Sequence, residues 1–149
     1  MSRDRDVAHQ FFEVAPLMIR TMKSEIRTVA QGRLTHPQYR ILANISRGIN
    51  TTGQIASDHG VSQPAMSKMV ESLVQRGLIQ RTSLSKDRRQ IVLRLTTKGR
   101  GLYEELKEIA TKNLDKKLKK ISSLDKNQLQ RALNDLEKIL KHIRKEENL

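Results

Sequence analysis

The sequence predicts a mainly α-helical fold with a helix-turn-helix near its centre and a single two-stranded β-hairpin. Three observations predict it. Apolar residues recur at helical spacing along most of the 149 residues. That period is interrupted once, by strict alternation over residues 91–95. The apolar content is mainly Leu, Ile, Val, Ala and Met, with only Phe11, Phe12, Tyr39 and Tyr103 as aromatics, and such side chains suit helix packing.

Each element follows in order. Val7, Phe11, Val14, Met18, Met22, Ile26 and Val29 predict a long first helix over about residues 6–30. Thr35 and Gln38 form a capping box, Pro37 is tolerated in the first turn behind it, and Gly48 stops the second helix. Thr51 and Gln54 form another capping box for a short third helix that Gly60 ends. Ser62 caps a fourth helix, whose stripe of Met66, Met69, Val70, Leu73 and Val74 runs to a stop at Gly77.

The period then changes. Residues 78–84 and 91–95 read as paired strands, with Ile91, Leu93 and Leu95 on one side. The polar stretch between them lacks the Asn-Gly of a tight turn, so a longer hairpin is expected. After Thr96 the helical period returns through Leu102, Leu106, Ile109, Leu114 and Leu118 to a break at Ser122 and Ser123. Asp125 with Gln128 reads as the cap of a last helix carrying Leu129, Leu133, Leu136, Leu140 and Ile143. The expected organisation is an N-terminal helix over 1–34, a central region over 35–100 and C-terminal helices over 101–149, together forming one compact domain.

Charge narrows the function. The chain carries 29 Lys plus Arg against 16 Asp plus Glu, a net of +13. The excess is regional: residues 35–100 hold 11 basic and 3 acidic groups, so +8 of the +13 lies there. A regional excess points to a polyanion partner, nucleic acid or an acidic membrane face, with a solvated charged surface as the plainer reading. The absence of cysteine excludes disulfides, Cys-based zinc sites and thiol switches. No apolar run approaches the ~18 residues of a membrane span, and the first residues have no signal-peptide core, so a soluble cytoplasmic protein is expected.

The fourth helix favours nucleic acid. Opposite its apolar stripe stand Ser62, Gln63, Pro64, Ser67 and Lys68, an outward face nearly free of acid and bulk. Two short helices joined by Gly60, Val61 and Ser62 have the spacing of a helix-turn-helix, with Ala56 small at the crossing and Val61 and Met66 apolar toward the core. The second helix of such a unit reads base edges in the major groove with its N-terminal residues. Acid there would repel phosphate, and bulk would hold the backbone away. Gln63 and Lys68 suit purine edges, Ser67 a base or phosphate, and Pro64 or Ala65 a thymine methyl. A generic amphipathic helix would show the same stripe. The hairpin separates the readings further, because Lys86, Arg88 and Arg89 follow the reading helix at a position suited to an adjacent minor groove. Asp87 is placed to hold the Arg89 guanidinium. A solvated charged turn is the alternative for that segment.

Together these residues resemble the MarR family of winged helix-turn-helix transcriptional regulators. The resemblance rests on Thr35 with Gln38, Gln54-Ile55-Ala56, the run from Val61 to Ser67, Arg76-Gly77-Leu78-Ile79, Asp87-Arg88-Arg89, and Leu95-Thr96-Thr97-Lys98-Gly99. The Asp-x-Arg hairpin leading to Leu-Thr-x-x-Gly is its most specific part, and the resemblance covers nearly the whole chain. It implies a two-stranded β-hairpin wing, long N- and C-terminal dimerisation helices interlocked in an obligate homodimer, and one winged domain per subunit on a pseudo-palindromic operator of double-stranded DNA. The candidate DNA-contacting residues are Thr51, Ser62, Gln63, Pro64, Ala65, Ser67, Lys68, Arg76, Lys86, Asp87, Arg88 and Arg89. Repression is the family's commoner mode, and the resemblance also implies an anionic or phenolic effector bound between the dimer helices and the DNA-binding lobe.

The residues support the dimer independently. Phe11, Phe12 and Met18, and Leu133, Leu136 and Leu140, form apolar stripes on long helices outside the central region, and such stripes need a partner. Arg20, Met22 and Tyr39 are the candidates to line an effector cleft between the first two helices. No metal site is expected, since His9, His36, His59 and His142 contain no i, i+4 pair; His36 belongs to a helix first turn and the others to the surface. No cofactor is expected. An enzyme is disfavoured because the chain lacks a nucleophile motif, a Gly-rich phosphate loop and an acidic cluster for magnesium. The rival that survives is a sequence-neutral architectural DNA-binding protein, which would bind any duplex about equally.

Overall fold

The computed structural model describes residues 3–83 and 91–146. Among these it forms six helices and two strands in the order α1 (Arg3–Ala30), α2 (His36–Ser46), α3 (Thr52–His59), α4 (Gln63–Gln75), β1 (Ile79–Ser83), β2 (Ile91–Leu95), α5 (Thr97–Leu118) and α6 (Ser123–Glu146). The chain divides into two compact units, residues 1–110 and 111–149. The division falls within α5.

Local capping chemistry fixes the central helices. Thr35 Oγ1 accepts from the Gln38 amide at 3.3 Å while Gln38 Oε1 accepts from the Thr35 amide at 3.0 Å, which closes the capping box of α2. Thr51 and Gln54 make the same reciprocal pair at α3. Gly60 closes α3 in the left-handed region at φ 66°, where a side chain would be strained. The Val61 amide then reaches back to the Ala56 carbonyl at 3.1 Å, satisfying a carbonyl that the helix end would leave orphaned. Ser62 caps α4 by accepting from the Ala65 amide.

The core of the first unit lies between α2, α3, α4, the hairpin and the start of α5. Ile41, Leu42, Ile55, Met66, Val70, Leu73 and Leu106 are fully buried. Ala56, 2% exposed, lets α3 and α4 approach closely. An ion pair adds to this packing: the Arg40 guanidinium donates to Asp58 Oδ2 at 3.1 Å, and the buried Asn44 amide donates to the same oxygen at 3.0 Å, tying α2 to α3. The hairpin is antiparallel, with Ile79 opposite Leu95 and Ser83 opposite Ile91. Its β2 edge takes a further partner, since the Leu93 amide donates to the Asn50 carbonyl at 2.7 Å.

Several expectations need correction. The first helix begins at Arg3 rather than near residue 6. In β2, Val92 is buried and Ile91 is 52% exposed, so the alternation does not place Ile91 with Leu93 and Leu95 in the core. Alternation marks one covered face but carries no information on whether the other is covered too. Val61 is 38% exposed, because the tight turn at Gly60 lies at the surface. The last helix is capped three residues earlier than expected. Ser122 Oγ accepts from the Asp125 amide at 3.1 Å and donates to Asp125 Oδ2 at 2.6 Å, so Asp125 is the third residue of that box and not its cap.

α1 and α6 are the least covered elements. Only the last two turns of α1 carry buried residues, and the described residues of α6 include none. Val7, Phe11, Phe12, Leu17, Met18 and Met22 stand exposed on α1, as do Leu129, Leu133, Ile139, Leu140 and Ile143 on α6.

Candidate nucleic-acid interface

The packing of α4 decides what it presents. Met66, Val70 and Leu73 are each 0% exposed and anchor one face of the helix in the core. Helical geometry then turns Ser62, Gln63, Pro64, Ala65, Ser67 and Lys68 outward, and all six are exposed. The first turn of α4 contains no acid, so the positive end of the helix dipole is uncompensated there. Acceptors and donors of neutral side chains, one ammonium and a positive helix end thus share one exposed surface. That combination suits base edges flanked by phosphate.

Thr51 joins this surface by position. Gly53, two residues beyond it, lies so close to Gln63 that a Cβ at residue 53 would stand 3.0 Å from the Gln63 Nε2. The first turn of α3 and the first residue of α4 therefore adjoin. Arg76 does not join it. It follows the last residue of α4, about 20 Å along the helix axis from Gln63 at 1.5 Å per residue. Its guanidinium donates to the Arg33 carbonyl and, at 3.4 Å, to Gln38 Oε1. Lys86, Asp87, Arg88 and Arg89 lie outside the described residues.

Sequence reasoning missed three contributors. Gly53 gives Gln63 its room. Glu71, the single acid of α4, pairs with Arg81 of β1 at 2.8 Å, which braces α4 against the hairpin stem. Asn50 anchors β2 through its backbone carbonyl. A small residue opposite a long polar one carries a faint sequence signal; a backbone contact carries none.

The candidate effector residues are not gathered in the same way. Arg20 and Met22 are exposed on α1. Tyr39 is half-buried with its ring 5.4 Å from that of Tyr103, and burial with the neighbouring phenol pushes its hydroxyl up to about 12. Tyr39 is thus a packed neutral phenol. His59 also departs from expectation, since it is half-buried and its Nε2 is enclosed without a hydrogen-bond partner. Burial holds its imidazole below the ordinary 6.5, with Arg40 adding to the effect and Asp58 opposing it. His36 is lowered too, first by burial and then by Arg40, Lys23 and His59. Among the described residues, no group of three or more His, Asp or Glu side chains converges as a metal site would.

The model of the MarR family matches residues 34–91, the segment that runs from the end of the α1–α2 turn to β2. Residues 34–91 are thus similar to the MarR family. Over 72 residues this chain is 38% identical to the transcriptional regulator AdcR of Streptococcus pneumoniae serotype 2, covering 48% of this chain and 49% of that protein. It is 29% identical over 86 residues to the HTH-type transcriptional regulator FarR of Neisseria gonorrhoeae, covering 57% and 59%. The chain thus spans about half the length of the curated relatives it matches. A MarR family protein from Bacillus stearothermophilus has a similar structure, with a TM-score of 0.76, 20% identity, and coverage of 95% of this chain and 99% of that one. This last likeness shows the fold: a mainly helical winged helix-turn-helix.

Proposed function

We propose that this protein is a member of the MarR family, a homodimeric, sequence-specific double-stranded-DNA-binding transcriptional regulator acting in the cytoplasm, and that it represses until a small anionic or phenolic effector releases it. The observation that carries the DNA reading is the exposed, acid-free N-terminal face of α4 held on a fully buried Met66–Val70–Leu73 anchor. Gln63 and Lys68 read base edges, Ser62, Thr51 and Ser67 hold phosphate or base, and Pro64 and Ala65 meet thymine methyls. Lys86, Arg88 and Arg89, steered by Asp87, follow the adjacent minor groove. The exposed stripes of α1 and α6 support the dimer, since apolar rows of that length on a monomer would sit in water. The names of AdcR and FarR support regulation over a structural role. The effector reading rests on family membership, with Arg20, Met22 and Tyr39 as its candidate residues.

Selection of bound duplexes from a random pool at physiological salt tests the reading. A two-fold dimer returns an inverted repeat with half-site centres about one helical turn, roughly 10 bp, apart. A regulator prefers that site over random duplex by about 10³-fold or more. Recovery of unenriched sequence with undiminished binding would instead establish the architectural alternative.

A further inference from the structure

We propose that Arg76 is a positioning residue: it latches the C-terminal end of the reading helix to the α1–α2 turn and does not touch DNA. The inference rests on the DNA reading of α4 and goes beyond it. Arg76 is the C-cap residue of α4, with its amide bonded back to the Ser72 and Val74 carbonyls. One guanidinium nitrogen donates to the Arg33 carbonyl in the turn after α1, and the other to Gln38 in the first turn of α2. Its own carbonyl accepts from Lys98 Nζ at 3.0 Å, which adds the first turn of α5. Arg33 is fixed in turn by a 2.9 Å ion pair with Glu105 on α5.

The Arg76 side chain therefore joins the end of α4 to the α1–α2 turn and to α2, while its backbone carbonyl takes the tie from α5. The geometry matters because a helix anchored at both ends has a fixed axis. At its N-terminal end α4 is held by the Gly60 turn and the Ser62 cap; at the other end Arg76 supplies the polar tie. Loss of that tie lets the helix tilt about its buried stripe, which displaces Gln63 and Lys68 from base edges while leaving the overall positive field intact. The tie also ends on the turn that follows α1, so a displacement of α1 has a direct path to the reading helix. The residue borders an open depression of about 480 Å³ shared with Arg33, Leu78, Lys98, Leu102 and Glu105. Truncating Arg76 consequently admits water instead of leaving a void in the core.

The test uses the full chain as wild type, Arg76→Ala and Arg76→Lys. Binding to the selected operator and to random duplex is measured across a salt series, with thermal unfolding and amide hydrogen exchange on the same samples. Arg76→Ala is expected to lose about tenfold in operator preference, the scale of one charged hydrogen bond. Its random-duplex affinity and salt slope should stay at wild-type values. Arg76→Lys, which restores one donor, is expected to recover most of that loss. Exchange at residues 33 and 72–78 should quicken in Arg76→Ala and recover in Arg76→Lys. A salt slope reduced by about two per dimer would make Arg76 a phosphate contact and overturn the proposal. So would unchanged operator preference, or an equal fall on both duplexes that tracks loss of folded protein. If the wild type itself shows no operator preference, the DNA reading fails, while the exchange comparison still decides whether the latch exists.

Discussion

Gly99 provides the sharpest test of the structure, because two ordinary rules predict opposite outcomes for Gly99→Ala. Helix propensity favours alanine by up to about 1 kcal/mol. The structure opposes it: a Cβ on Gly99 would stand 1.9 Å from the Leu78 carbonyl oxygen and 2.8 Å from its carbon. Ordinary C···O approaches are about 3.3 Å, so one backbone must move by roughly 1.4 Å. Neither is free to do so. The Leu78 carbonyl accepts from the Thr96 amide at 3.1 Å, and the Leu78 amide is bonded to Leu73 at 3.0 Å. Thr96 Oγ1 both donates to the Gly77 carbonyl at 2.6 Å and accepts from the Gly99 amide at 3.0 Å. Overpacking of this kind costs about 1–3 kcal/mol, and each hydrogen bond lost adds about 1 kcal/mol. The net expectation is a loss of about 2–3 kcal/mol. Gly101, two residues along the same helix, has open space where its Cβ would fall, so Gly101→Ala is expected to gain about 0.5–1 kcal/mol. For a chain of this length each kcal/mol moves Tm by about 2–4 °C. The two variants should therefore differ by about 5–15 °C when melted at equal protein concentration. A Gly99→Ala protein as stable as Gly101→Ala would refute the close packing of α5 on the start of β1.

Two further outcomes are expected. Because His36 and His59 are held below 6.5 in the fold, the unfolded chain binds more protons just below that pH, and stability is complete above about 6.5 and lost as pH falls toward the folded values. Urea midpoints between pH 7 and 5 should show this fall, and a His36→Gln, His59→Gln chain should show it flattened; an undiminished slope in that chain would assign the effect to other groups. At the reading face, Gln63→Ala should relax preference at one or two base positions per half-site by about 1–3 kcal/mol, with random-duplex affinity retained. Gly53→Ala, which crowds Gln63 Nε2, should disturb the same positions and no others; an effect elsewhere in the half-site would mean that Gln63 is not the reader.

Legibility in the sequence followed the range of the interaction. Thr35 with Gln38, Thr51 with Gln54, and Gly60 before Ser62 are local devices acting over three or four residues, and the structure has each where the sequence placed it. Ser122 and Asp125 show the limit of that locality: both are good caps, and only geometry reveals that one caps and the other completes the box. The apolar stripe of α4 was legible because 3.6-residue periodicity marks a buried face directly. Val61 and Ile91 were misassigned because an apolar residue beside a turn or near a strand end carries no information on what covers it. Arg76 enters the candidate list with the Arg-Gly-Leu-Ile motif, and its hydrogen bond to a carbonyl 43 residues away in the sequence leaves no local signal. The Leu-Thr-x-x-Gly motif was visible as a pattern, yet its cause, a helix packed on a carbonyl that tolerates no Cβ, is a three-dimensional fact.

The charge of the central segment takes on a different meaning once its ion pairs are known. Eleven basic residues over 35–100 suggest a broad phosphate-binding surface. Arg40, however, is committed to Asp58 between α2 and α3, Arg81 to Glu71 between β1 and α4, and Arg76 to the Arg33 carbonyl. The last two hold α4 directly, and the first ties α2 to α3. The segment's two described acids, Asp58 and Glu71, are the partners of two of them, so neither carboxylate stands alone near the reading face. Basic residues in this domain thus divide between scaffold and ligand, and the division follows position along α4: the guanidinium groups brace its middle and end, while the exposed N-terminal turns keep neutral donors and acceptors with the one lysine at residue 68. Counting cations would overestimate the phosphate contacts, and hence the salt dependence, of such a domain. Under the proposed DNA-binding role, what favours DNA over any other polyanion is the presentation of short, neutral hydrogen-bonding side chains at the positive end of a helix anchored by the buried Met66, Val70 and Leu73.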